Sequence, residues 1–237
     1  LADMNDPKTY GPEFYRMSFG EAIERGILVD YKIVAIGVTS EEVAGAILGR
    51  RFTGDTTADQ LANNVALNKV MRKYGPKHAV TFHSSVRGAA DFCERHEKLF
   101  RRTAAFHVNG RQSTSERAAT IEEFRESQLA VVTNARCMTE GVDIPSIDCV
   151  YFCDPRASKI DIVQAAGRAL RVTAKKKAYG YIVVPVFHTK DANLEDSIDA
   201  GVFKNLVTVV RAMADNDDRL EDEIRSVRYG LGKRQVL

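Results

Sequence analysis

Two arginines and a glycine mark the part of this sequence best suited to phosphate chemistry. In Gln164, Ala165, Ala166, Gly167, Arg168, Ala169, Leu170, Arg171 the arginines stand three positions apart, which on a helix brings them to one side. A guanidinium presents a planar fork of donors that matches phosphate oxygens. Gly167 permits close approach, and Gln164 lies at a nearby angle of the same helix. An isolated arginine pair more commonly serves surface solvation or salt bridging, so the surroundings decide. Between Arg156 and Lys177 the basic residues 156, 159, 168, 171, 175, 176 and 177 face one acid, Asp161. That excess suits a polyanion bound with steep salt dependence, although Lys175, Lys176 and Lys177 equally suit a solvated loop entering a strand.

Other candidates follow apolar runs. The stretch after Leu129–Asn134 contains Thr139, Glu140, Gly141, Val142 and Asp143. A glycine flanked by carboxylates can bring backbone close to a ligand while Asp143 accepts from a hydroxyl or guanidinium. The same residues also fit a plain loop in which Thr139 and Asp143 satisfy local backbone groups. His83, Ser84 and Ser85, at the end of one apolar run, offer an imidazole and hydroxyls to a backbone phosphate, a contact that positions a strand without reading bases, and Asn109 ends another run that leads on to Arg117. His83 and His107 read as ordinary strand-end residues.

The elements that must position these residues alternate. Short apolar runs over 31–38, 78–83, 103–109, 129–134, 149–153 and 179–186 read as buried parallel strands, without hairpin spacing. Helical stretches fill the gaps at 18–28, 58–74, 86–100, 115–126 and 159–170, with Ser18 and Ser115 as candidate caps. The fold class expected is α/β, a parallel sheet sandwiched by helices. In such sheets ligands collect outside the carboxyl ends of the strands. Residues 1–190 are expected to form this domain with an N-terminal lead-in. Residues 191–237 form a helical extension, packed through Leu206, Val209, Val210 and Met213.

A chain of 237 residues with net charge +2 can bury a core without staples, and its global charge does not argue for nucleic acid. Cysteines 93, 137, 149 and 153 form no CxxC pair, so buried reduced thiols and a cytoplasmic setting are expected. Starting at Leu1, the sequence suggests a piece of a longer chain. IGVTSEEVAG lacks the glycine-rich turn of a dinucleotide-binding enzyme.

In order along the chain, AVTFHSS, HVNGRQSTSER, LAVVTNARCMTEGVDIPSIDCVYFCDP and QAAGRALR resemble motif IV, the block after it, motif V and motif VI of the C-terminal RecA-like domain of superfamily 2 helicases and translocases. The opening YGPEFYRMSFGEAIERGILVDYKI is similar to the restriction-enzyme-type branch, which includes type I and type III enzymes. The resemblance implies an ATP-dependent DNA helicase or translocase with Arg171 as arginine finger, Arg168 as a second phosphate contact and Gln164 near the nucleotide. It implies Gly141, Asp143 and Gly167 beside the nucleotide, and Ser84, Asn109, Asn134 and Thr139 along the nucleic-acid backbone. No GxxxxGK[ST] or DExx box is present, so ATP and Mg²⁺ would be held mainly by an N-terminal RecA-like partner domain, leaving this piece inactive alone. Double-stranded DNA is the expected polymer. The rival reading is a nucleic-acid-binding or interaction module without catalysis.

Overall fold

The computed structural model describes residues 7–12, 15, 17–48, 58–134, 147–155, 158–172, 177–186 and 203–228. Thr139, Gly141 and Asp143 lie outside the described residues, as do Arg156, Lys175 and Lys176.

Six strands form one parallel sheet: β1 (Asp30–Ile36), β2 (His78–Phe82), β3 (Ala104–Val108), β4 (Ala130–Asn134), β5 (Cys149–Phe152) and β6 (Tyr179–Pro185), in the order β1-β6-β5-β2-β4-β3. The central strands β2, β4 and β5 are buried at every position, because helices cover both faces, and continuous apolar runs follow. Register pairs Thr81 with Thr133 and Thr133 with His107.

The helices are α1 (Pro7–Tyr10), α2 (Phe19–Glu24), α3 (Ser40–Ile47), α4 (Ala58–Tyr74), α5 (Val86–Leu99), α6 (Thr114–Glu126), α7 (Lys159–Ala169), α8 (Lys204–Ala214) and α9 (Asp218–Arg228). On one face Val80, Phe82, Val132, Val150 and Ile182 meet Ile121 and Phe124 of α6, Ile162 and Ala166 of α7, and Val209 and Met213 of α8. On the other, Val34, Val131, Tyr151 and Val183 meet Leu67 and Val70 of α4 and Phe92 of α5. The C-terminal helices thus share the main core: Val209, Ala212 and Met213 are fully buried.

Local differences from the sequence reading have local causes. Helix α2 ends at Glu24 because Gly26 turns the chain with φ of 69°, a left-handed value that glycine adopts freely. The cap of α6 is Ser113, whose hydroxyl accepts from Glu116 N while Glu116 reaches back to Ser113 N at 2.7 Å, a reciprocal capping box. An additional helix, α3, begins with a second capping box, Thr39 with Glu42. In α4 the buried side is broad, taking in Leu61, Ala62, Val65, Ala66, Leu67, Val70 and Met71, and Arg72 faces outward. No helix among the described residues is long and apolar enough to cross a membrane.

Candidate functional site

Helix α7 starts near the carboxyl end of β5 and finishes at the amino end of β6. Ser158 caps it, accepting from Asp161 N at 3.2 Å. Ile162, Ala165, Ala166 and Ala169 go into the core while Gln164 is exposed. Gly167 faces the Phe19 ring, whose Cε1 is 4.0 Å from where a Cβ would stand.

The two arginines do not share a helix face, as their spacing suggests. Arg168 is half-buried in the last turn, Leu170 is the buried cap, and Arg171 is exposed beyond the helix. There Arg171 forms an antiparallel bridge with Leu28, and Val29 N donates to Leu170 O at 2.8 Å. The cause is packing. Leu170 drives inward against Gly180, where an added Cβ would lie 2.5 Å from Leu170 Cδ2 and 2.6 Å from Ala169 O, leaving room for nothing but hydrogen. The path then turns out of the helix, and two backbone links hold Arg171 at the amino edge of the sheet.

Lys177 belongs to this edge as a structural cation. Its Nζ donates to Ile147 O at 2.6 Å and to Ala169 O at 2.7 Å, which satisfies an end-of-helix carbonyl and opposes the negative pole of α7. Burial pushes its pKa down to about 8. Asp148 works nearby, accepting from Lys77 N at 2.8 Å and His78 N at 2.9 Å. Lys159, at the other end of α7, pairs with Asp215 at 2.6 Å. Two of the basic residues that suggested a polyanion surface are therefore engaged within the domain.

The residues expected to meet a nucleic-acid backbone gather at the opposite, carboxyl edge. Ser84, just past β2, donates through N and Oγ to Asp154 Oδ2 at 2.6 and 2.8 Å. Asp154 follows β5 and was not singled out in the sequence; its place in CVYFCDP, one residue past a buried strand, was the available signal. Asn109 builds a turn after β3: its Oδ1 accepts from Arg111 N at 2.9 Å, and its backbone N donates to Gln112 Oε1 at 3.0 Å. Asn134 is fully buried at the end of β4, its carbonyl accepting from His83 N at 2.9 Å.

Behind these lies a polar layer under α5. Thr81 Oγ1 meets His83 Nε2 at 2.9 Å, and His107 bridges Thr133 Oγ1 at 2.9 Å and Asn109 Nδ2 at 3.2 Å. Burial lowers the His107 pKa, so a neutral ring suits these contacts. The two histidines are thus bound into the strand ends, as their sequence position indicates. Helices α5, α6 and α7 all begin at this edge, capped by Ser85, Ser113 and Ser158, so their positive poles face it together. Among the described residues no group of three or more His, Cys, Asp or Glu side chains is gathered to hold a metal ion.

Comparison with known proteins gives one consistent set of relatives. Residues 62–173 match the helicase conserved C-terminal domain. The ATP-dependent type ISP restriction-modification enzyme LlaBIII, solved bound to DNA, is similar over 96% of this chain and 17% of its own, with a TM-score of 0.79 and 27% identity. A fragment of a candidate HsdR subunit of a type I restriction enzyme from Vibrio vulnificus shares the fold at a TM-score of 0.59 and 17% identity, over 78% of this chain and 38% of that one. In sequence, the candidate ATP-dependent helicase IRC3 of Saccharomyces cerevisiae is 38% identical over 61 residues, 26% of this chain and 9% of that protein. The match spans about a tenth of the length of that curated relative.

Proposed function

We propose that this chain, which contains the conserved C-terminal domain of superfamily 2 helicases and has its RecA-like parallel sheet sandwiched by helices, acts as the second motor domain of an ATP-dependent DNA helicase or translocase of restriction-enzyme type. The observation that carries this reading is the placement of Arg171. It is exposed past the end of α7 while its backbone is held by Leu28 and Arg168. A side chain rooted on so fixed a backbone starts from a defined point when it reaches toward charge on another body, in line with the preorganisation that makes such donors effective.

In this reading ATP and Mg²⁺ are held mainly by an N-terminal RecA-like domain of the same protein. When the two domains close, Arg171 meets the γ-phosphoryl group and neutralises charge developing on its oxygens, with Arg168 as a second phosphate contact. Gln164, exposed on α7, and Gly167, Gly141 and Asp143 lie toward the nucleotide. Such a finger contributes roughly 10³ to 10⁵ in turnover in comparable phosphoryl transfers. Loss of the contact after hydrolysis lets the domains part.

Nucleic acid, with double-stranded DNA preferred, lies along the carboxyl edge. Ser84, Asn109 and Thr139 address its backbone, aided by the positive poles of α5, α6 and α7, while the buried Asn134 supports the strand end beneath them instead of touching the polymer. Ser84 exchanges its bond to Asp154 for a phosphate oxygen in doing so. Helix α7, 11 residues long and so roughly 16 Å from end to end, runs from the carboxyl edge to Arg171 and is the rigid element that links the two. The domain by itself hydrolyses no ATP.

The test is Arg171→Ala in the intact protein. DNA-stimulated ATP hydrolysis is expected to fall by roughly 10³-fold or more while nucleotide binding, measured by fluorescent-analogue titration, is retained. Normal turnover removes the finger assignment.

A further inference from the structure

We infer that Asp217, in the turn between α8 and α9, is a positioning residue for Arg171, acting through the segment from Phe19 to Tyr31. The inference rests on the proposed role of Arg171 and adds the device that aims it.

Asp217 is 1% exposed and, together with Arg219 two positions on, meets two stretches distant in sequence. Its Oδ2 accepts from the Tyr31 hydroxyl at 2.8 Å and from Arg219 Nη2 at 2.9 Å, and its Oδ1 accepts from Arg219 Nε at 3.1 Å. Arg219 reaches on to Asp30 Oδ1 at 3.2 Å. On the other side, Gly20 lies flush against the pair: an added Cβ would stand 3.1 Å from Asp217 Oδ1 and 3.3 Å from Arg219 Nε. Phe19 N, next to it, donates to Asn216 O at 2.8 Å.

The turn therefore holds one stretch of chain at both of its ends, Phe19–Gly20 through Asn216 O and the close packing of Gly20, and Asp30–Tyr31 through the Arg219–Asp217 pair. Between those grips lie the residues that touch the arginine-bearing segment. Phe19 covers Gly167, Leu28 bridges Arg171 and Val29 N holds Leu170 O. Asp215, two residues before Asp217, pairs with Lys159 at the start of α7. The turn between α8 and α9 thus holds α7 directly at one end and indirectly at the other. A buried, multiply bonded carboxylate is a stiff anchor, because removing its charge strands the guanidinium and hydroxyl aimed at it. Loosening the anchor frees Leu28 and Val29 to shift, and a displacement of about 1 Å at a reacting group is enough to cost up to roughly 10²-fold in rate.

The experiment is a double-mutant cycle in the intact protein, followed by single-turnover ATP hydrolysis at saturating DNA and at a temperature where circular dichroism shows every variant folded. Asp217→Asn is expected to lower the rate roughly 10- to 100-fold with nucleotide KM little changed, and to speed hydrogen exchange of the Val29 amide. In an Arg171→Ala background the same change is expected to have little further effect, because both act on one interaction. Multiplying effects in the double variant, or an unchanged rate in Asp217→Asn, overturn the positioning role. A normal rate in Arg171→Ala alone is a different result, which removes the finger and the inference with it. Should Asp217→Asn fail to fold, Tyr31→Phe, which deletes one hydroxyl from the hub, carries the cycle with a smaller drop of the same sign.

Discussion

The amino and carboxyl edges of the sheet differ in what their polar groups hold. At the amino edge, beside the Tyr31–Asp217–Arg219 hub, the chain is anchored through its backbone: Asp148 takes the Lys77 and His78 amides, Lys177 takes the Ile147 and Ala169 carbonyls, and the backbone of Leu28–Val29 pairs with that of Leu170–Arg171. At the carboxyl edge, beside the Asn109 turn and the serine caps, several bonds run between side chains, as in Ser84 with Asp154, Thr81 with His83, and His107 with Thr133 and Asn109. A backbone anchor fixes where a chain runs and cannot be traded without moving that chain. A bond between two side chains can be exchanged for a ligand by a change of rotamer. The amino edge is thus built for fixed aim, whereas at the carboxyl edge the exposed Ser84–Asp154 pair is open to exchange.

The sharpest way to break this comparison is to exchange the phenotypes. Arg171→Ala should lower ATP turnover by roughly 10³-fold or more and leave DNA affinity nearly unchanged in a filter-binding assay; loss of DNA binding would place both ligands at one edge. Next in size is Gly180→Ala, which forces a methyl group into the space of Leu170 Cδ2 and Ala169 O. We expect about 1–3 kcal/mol of destabilisation, read from the denaturant midpoint, and a neutral result would show that the end of α7 is not fixed by β6.

Lys177→Met should be comparable, at about 1–3 kcal/mol, because it strands two carbonyls. It also carries a pH signature. Folding lowers the Lys177 pKa from 10.5 to about 8, so unfolding takes up a proton between those values and this group's contribution to stability rises with pH across that window. The variant should lose that rise, and an identical pH profile in both proteins would contradict the burial of the ammonium. The smallest effect is expected at the exchangeable edge. Ser84→Ala should weaken DNA binding by about 1 kcal/mol, almost equally for unrelated sequences, with ATP turnover at saturating DNA preserved; a sequence-dependent loss would argue for base readout instead.

The sheet was legible because buried parallel strands leave short continuous apolar runs, so all six appear within one or two residues of their expected ends. Helix α3 was not, since SEEVAGAI is short and buries only Val43; the Thr39 to Glu42 spacing was its signature. The arginine motif was visible as composition, but its geometry was not. Whether Arg171 continues a helix depends on Leu170 meeting Gly180, a contact that local spacing does not encode. The bond from Tyr31 to Asp217 joins residues 186 positions apart, and no periodicity announces it. Chemistry carried by residue type was readable, whereas aim set by remote packing was not.

The first strand of the sheet lies beside the last, with Asp30 opposite Tyr179. During synthesis β1 must therefore wait, its hydrogen-bonding edge uncovered, until β6 has left the ribosome, while β2, β3 and β4 can already join one another. Closing so long a loop is slow, and an open strand edge invites pairing with other chains. A shortened version that begins after Asp30 would lose the Leu28 partner of Arg171 as well as the start of that strand. Anyone expressing this domain alone should keep the lead-in, since it completes the sheet and orients the arginine at once.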